Sequence, residues 1–315
     1  MRDLQSIHAA SPLRRAAPDF PTRNPLVRKL EHFASLSEAD RLVLERLSAE
    51  ARTVDPHVDL IREGDVPEEA VLMLDGFAGR YKLRQTGSRQ IMTYLLPGDL
   101  CDVDAPYLGR MDHAVGTLST AAVARIPRGL LGEVMQQHPA IARALRLAKL
   151  AEEATTREWL VNLGTRSALE RLAHLFCEVL ARLEVVGLAR QDTCRLPISQ
   201  IDLADTLGLS NVHVNRVLQE LRRQGLLEFH GRTLRILDLG RVRDIAEFST
   251  SYLQPGFSPS EHALARPTLR CPEQGRDGLA GGMVGAGRAP FPGGGAAPGQ
   301  DGAGPLARIV EADQA

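Results

Sequence analysis

Side chains able to grip or read a nucleic acid gather in one stretch of this 315-residue chain, ISQIDLADTLGLSNVHVNRVLQELRRQGLLEFHGRTLRIL, from Ile198 to Leu237. Ser210, Asn211, His213 and Asn215 lie within six residues of one another. Hydroxyl, amide and imidazole groups so spaced in the first turn of a helix can hydrogen-bond base edges or phosphates in a major groove. Arg216, Arg222 and Arg223 follow along the same stretch, and Arg232 sits at the turn beyond it, where phosphates would run. Ser199 and Val212 complete the set expected to meet DNA. From Arg195 to Arg243 eight basic residues stand against five acidic ones, a local excess of three on a chain whose net charge is −1. Binding to a polyanion must therefore come from this surface and not from the chain as a whole.

The elements that position these groups follow from caps and breakers. Ser199, with Asp202 three residues on, can cap a short helix through Leu207, and Gly208 ends it. Ser210 caps a second helix that turns Val214, Val217, Leu218 and Leu221 to one side and stops at Gly225. Two helices crossing steeply need a small residue at the crossing, a left-handed turn residue and an apolar contact beyond it. Ala204, Gly208 and Val214 supply the three. LLEFHGRTLRIL then reads as two short strands around a His230-Gly231 turn. Helix, turn, helix and hairpin make a winged helix-turn-helix.

Upstream, His138 to about Leu183 reads as helix, with no Pro after Pro139 and with Gly164 expected to interrupt it. The first piece carries small apolar residues and a second stripe of Leu147, Leu150 and Ala154. It is either a core helix of one domain or a subunit-pairing helix, the second with Ile141, Ala144, Ala148, Ala151 and Thr155 in the seam. Between Arg52 and Ile126, apolar runs of four to six residues alternate with Gly64-Asp65, Asp75-Gly76, Thr86-Gly87 and Gly98-Asp99, the pattern of a small β-barrel or roll. A helix capped by Ser37 packs beside it. The class is α+β. Expected divisions are a disordered 1–24, a sensor roll at 25–137, a connecting helix at 138–163, a DNA-binding domain at 164–250 and a disordered 256–315. In that last stretch 12 of the 35 residues from Cys271 to Pro305 are Gly and 5 are Pro.

Several functions drop out. There is no apolar run long enough for a membrane span and no unbroken apolar stretch for a signal peptide. Four cysteines are too few for a disulfide framework, so a reducing cytoplasm is expected. No Gly-Lys-Ser/Thr phosphate loop, His-Glu-x-x-His pair or Gly-x-Ser-x-Gly elbow occurs, and no enzyme is expected.

The chain resembles the Crp/Fnr family of bacterial transcription regulators over about residues 26–250. The likeness rests on Leu60-Ile61-Arg62-Glu63-Gly64-Asp65, on Gly76, on Arg89-Gln90-Ile91 leading to Pro97-Gly98-Asp99, and on the winged helix. The resemblance implies a cyclic-nucleotide-binding-type roll, a long dimerisation helix, and a homodimer on a two-fold symmetric double-stranded DNA operator. It also implies contact with RNA polymerase. Where cyclic-AMP-responsive members open the recognition helix with Ser-Arg-Glu-Thr-Val-Gly-Arg, this chain has Ser210-Asn211-Val212-His213-Val214-Asn215-Arg216, so a different operator is expected. The Gly-Glu and Arg-Ser/Thr-Ala that bind cyclic AMP are absent from Leu100 to Gly116, and cyclic AMP is not expected to act. Cys101, Asp102, Arg110, Asp112 and His113 form the candidate pocket for a small-molecule effector of another kind. The cysteines stand 17 to 77 residues apart, unlike an iron–sulfur cluster's, and no cofactor or metal is expected. The alternative is a signalling module whose roll binds a ligand or protein and whose winged helix meets only protein.

Overall fold

A computed structural model describes residues 24–101, 103 and 109–254. Of the stretches expected to be disordered, 1–24 and 256–315, all but Asn24 lie outside them, as does the candidate Asp102. Two four-stranded antiparallel sheets form the roll. One has the order β1 (Ala51–Val54), β8 (Ala121–Pro127), β3 (Glu69–Asp75), β6 (Leu100–Cys101). The other runs β2 (Asp59–Ile61), β7 (Ala114–Thr117), β4 (Ala78–Leu83), β5 (Arg89–Leu95). Alternate side chains of both sheets, among them Ile61, Val71, Met73, Leu95, Cys101 and Val115, share one buried cluster. Gly76 turns the chain from β3 into β4 at φ +74°, and a Cβ there would lie 2.3 Å from the Thr120 carbonyl oxygen, so no larger residue fits. Strand β7 is too short, and too closely followed by Ser119-Thr120, to stand out by periodicity.

Helices pack against the roll. Helix α2 (Glu38–Leu47) opens on Ser37, whose hydroxyl and the Asp40 carboxylate form the expected capping box. The sequence gives little warning of α1 (Pro25–Phe33), capped by the Asn24 side chain, or of α3 (Arg128–Gln137). Helix α1 buries Leu26, Val27 and Leu30 against Leu72, Ala124, Ile141 and Ala144. The long helix α4 spans Pro139–Thr165 and runs through Gly164, contrary to expectation. One glycine costs a helix about 1 kcal/mol, too little to break it near an end. The break falls instead at Arg166, because Ser167 caps α5 (Ala168–Val185) with Glu170 completing the box.

The winged half follows: β9 (Ala189–Arg190), β10 (Thr193–Arg195), α6 (Gln200–Leu207), α7 (Asn211–Arg223), β11 (Leu227–His230), β12 (Thr233–Ile236) and α8 (Leu239–Ala246). Its sheet has the order β11-β12-β10-β9, so the wing gains two strands the sequence pattern did not show. A 3₁₀ turn at Thr250–Leu253 returns towards α4 and α5. Phe77, Ile91, Tyr94, Leu96 and Leu118 of the roll belong to the same buried cluster as Trp159, Phe176, Leu203 and Leu218. Roll and winged half thus share a core.

Candidate nucleic-acid interface

Helix α6 ends as the spacing requires. Gly208 adopts φ 65°, ψ 34°, and the Leu209 amide returns to the Ala204 carbonyl at 3.1 Å. Ser210 then caps α7, accepting from the His213 amide at 3.3 Å. Val214, Val217, Leu218 and Leu221 are buried, and Ala204 is buried beside them. That burial fixes the rotation of α7 and leaves Asn211, Val212, His213, Arg216, Gln219, Arg222 and Arg223 exposed.

The exposed groups are not equivalent. Val212 is 72 % exposed, an apolar side chain held in water at the helix start. Asn211, His213 and Arg216 project beside it. Asn215 is half-buried, donating to Gln200 Oε1 at 3.2 Å and accepting from Gln219 Nε2 at 2.9 Å, which orients its amide. No sequence pattern marks Gln200 or Gln219, although Gln219 follows Asn215 by one helical turn. Arg222 donates to the Phe229 carbonyl, tying the end of α7 to the wing. Arg223 forks onto Glu220 at 2.6 and 2.9 Å, and bonds from Arg223 and Gln224 hold that carboxyl down at about 2. The wing turn is Gly231-Arg232, one residue later than expected: both have positive φ (57° and 64°) and His230 pairs with Thr233. Two left-handed residues give the hairpin turn whose twist matches the strands, and Arg232 is exposed at its tip. Ser199 spends its hydroxyl on the cap, donating to Asp202 Oδ2 at 2.7 Å and accepting from the Asp202 amide.

The acidic groups of α6 are paired. Asp202 is buried, and Arg89 on β5 donates to it at 2.6 Å and to Asp205 at 2.8 Å. Gln90 donates to the Thr206 carbonyl at 3.1 Å. Thr206 uses its own proton on the Asp202 carbonyl, so the 2.6 Å contact between the Thr206 and Tyr94 hydroxyls is donated by Tyr94. These bonds fasten the first helix of the helix-turn-helix to the roll. The sequence showed Asp202 only as a cap.

A second polar cluster holds α5 to α4. Glu178 is wholly buried and accepts from Trp159 Nε1 at 3.0 and 3.2 Å and from the Tyr252 hydroxyl at 3.0 Å. Burial pushes its carboxyl up, against the Arg182 charge. Asn162 donates to His174 Nδ1 at 3.0 Å because its carbonyl side is occupied by Arg166. Burial lowers His174 to about 4, so it is neutral at pH 7 with its proton on Nε2.

Two sets of expected residues are placed differently. Ile141, Ala144, Ala151 and Thr155 are buried by the chain itself and Ala148 is half-buried, so this face of α4 is spent on the intrachain core. The face left open carries Leu150 (44 % exposed), Leu160 (67 %) and Val161 (45 %), with Leu147, Ala154 and Arg157 between them. The described candidate effector residues differ in setting. Cys101 is buried inside the roll, Arg110 and Asp112 are exposed, and Arg110 donates to the Gly64 carbonyl at 3.3 Å. His113 is buried and shares a 2.7 Å hydrogen bond with Asp112. Burial raises the Cys177 and Cys194 thiols to about 12, which leaves them unreactive. Among the described residues no group of three or more His, Cys, Asp or Glu side chains could hold a metal ion.

A roll joined by a long helix to a winged helix-turn-helix is the architecture of a DNA-binding regulator. A family model, the Crp-like helix-turn-helix domain, matches residues 170–245. The chain is 30 % identical over 223 residues to the transcriptional activatory protein AadR of Rhodopseudomonas palustris, covering 70 % of this chain and 90 % of that one. It is 30 % identical over 184 residues to the nitrogen fixation regulation protein FixK of Bradyrhizobium diazoefficiens, 58 % of this chain and 76 % of that one. The solved structure of FixK2 from Bradyrhizobium japonicum superposes with a TM-score of 0.56 at 26 % identity, over 63 % of this chain and 98 % of that one. The chain belongs to the Crp/Fnr family and is a transcription regulator with a DNA-binding helix-turn-helix domain.

Proposed function

We propose that the chain binds a two-fold symmetric operator as a homodimer, with α7 of each subunit in a major groove. The carrying observation is the division of α7: four aliphatic side chains fully turned inward, and Asn211, His213, Arg216 and Gln219 outward beside the Arg232 wing tip. Asn211 reads a base edge, Asn215 and Gln219 are aimed by their mutual bond, and Arg216, Arg223 and Arg232 meet phosphates. Arg222 positions the wing through its bond to Phe229. Ser199 and Ser210 present helix N-termini to the backbone. Pairing runs through the open stripe of α4, Leu147, Leu150, Ala154, Arg157 and Val161, at one-turn spacing. The working divisions are a sensor roll at 25–137, a connecting helix at 138–163 and a DNA-binding part at 164–250.

The same reading makes the chain a cytoplasmic regulator and not an enzyme. It acts through RNA polymerase and is governed by an effector other than cyclic AMP. The names of the relatives support the regulator role, and among the described residues no helix is long and apolar enough to cross a membrane. Genome-wide mapping of bound DNA tests the reading. It should return an inverted repeat with half-site centres about 10–10.5 base pairs apart. Binding without sequence preference or salt dependence would leave the winged helix as a protein-contact module.

A further inference from the structure

Val212 is more exposed than any other large apolar side chain among the described residues. It stands second in α7, directly after Asn211, in the first turn of the helix. We propose that Val212 is a specificity determinant: it packs on the C5 methyl group of a thymine and so fixes a T·A pair in each half-site. That contact requires α7 to lie in a major groove, as proposed above.

The fold gives Val212 no other use. It belongs to none of the buried apolar clusters, whereas Val214, two residues on, is wholly buried. Valine is a poorer helix former than alanine, so a residue that buries nothing here adds nothing to the stability of α7. Its place on the helix supplies the reason. Residues three, four and seven further on share its side, and these are Asn215, Arg216 and Gln219. The Asn215 amide is held between Gln200 and Gln219, so an apolar point stands beside polar groups that are already aimed. A β-branched side chain has few rotamers to lose when it meets a base.

Base chemistry decides which base. In the major groove adenine, guanine and cytosine present only hydrogen-bonding groups, and thymine alone adds a methyl. Valine neither donates nor accepts, so a polar edge pressed against it would give up water and gain no partner. The thymine methyl gives up nothing and leaves water with the valine. One side chain therefore selects by attraction and by exclusion. Asn211 beside it suits adenine, whose N6 and N7 match an amide, so the two consecutive residues both favour A·T pairs.

Duplexes selected by the full chain from a random-sequence pool supply the operator. Each thymine in turn is then replaced by deoxyuridine, which removes only the C5 methyl. One thymine per half-site should respond, with binding weakened about fourfold, the effect of one buried methyl group. Replacing it in both half-sites should weaken binding about fifteenfold. Val212→Ala, at a site so exposed, should keep the parent's melting temperature. It should bind the thymine operator about as weakly as the parent binds the deoxyuridine one, and no longer tell the two apart. A role confined to holding α7 in shape would weaken both duplexes alike and leave their ratio unchanged. Recovery of no preferred sequence overturns the operator reading and the thymine contact together. An operator insensitive to deoxyuridine at every position, or one equally sensitive with Val212→Ala, overturns the thymine contact alone.

Discussion

Replacing Arg89 by Met should loosen the winged half from the roll while keeping the apolar stem of the side chain. The guanidinium serves two carboxylates, one wholly buried (Asp202, side chain 2 % exposed) and one partly open (Asp205, 26 %). A hydrogen bond to a charged group contributes roughly 1.5–3 kcal/mol when buried. The Asp205 half, screened by water, adds no more than about 1 kcal/mol. Losing a buried partner outright costs about 3–5 kcal/mol, but Asp202 would keep its bonds from the Ser199 amide and hydroxyl. The net expectation is about 2–3 kcal/mol, a fall in melting temperature of roughly 5–10 °C for a chain of this size. Urea unfolding followed by Trp159 fluorescence, in a double-mutant cycle with Asp202→Asn, isolates the pair. The cycle should return at least about 1.5 kcal/mol of coupling. A coupling below about 0.5 kcal/mol would mean that Arg89 merely lies beside the helix, and the fastening argument would fail.

The other expectations concern the interface and the buried histidine. Arg216→Ala should weaken binding to all duplexes alike and lower the salt slope by about 1, whereas Asn211→Ala should cost roughly 1–3 kcal/mol at one half-site position; a competition series at several salt concentrations separates them. Leu150→Asp or Val161→Asp should yield folded monomers by sedimentation velocity, because each would bury an unpaired charge in the pairing seam, while Ala151→Asp should instead unfold the subunit. His174, at about 4 folded against 6.5 unfolded, lets only the unfolded chain take a proton within that window. Its contribution is therefore complete above 6.5 and lost as pH falls towards 4, by up to about 3 kcal/mol. Urea midpoints of His174→Gln should show a flatter acid limb than the parent, and parallel limbs would contradict the assignment.

The local signals in this chain were strong wherever one residue type had one use. Ser37, Ser199 and Ser210 cap the helices they precede, and Gly208 takes the left-handed turn between α6 and α7. The aliphatic face of α7 was legible from spacing alone, and with it the groups left facing outward. Such features depend on backbone geometry within a few residues, which the order of side chains dictates. Helix α1 and strands β7, β9 and β10 carried no comparable mark, since each is short and is held by partners far away in the chain.

Partnership across distance is what only the tertiary structure decided. Helix α4 has two apolar stripes, and nothing in its sequence says which meets the chain's own roll; α1 and the roll cover Ile141 and Ala144, leaving Leu150 and Val161 open. Cys101, Arg110, Asp112 and His113 are close in sequence, yet Cys101 and His113 are buried while Arg110 and Asp112 are exposed. Conversely Arg89 and Tyr94 lie more than a hundred residues before Asp202 and Thr206, and each meets its partner within hydrogen-bonding distance. Spacing along the chain determines a helix face; which faces touch is set by the burial of the whole apolar surface at once.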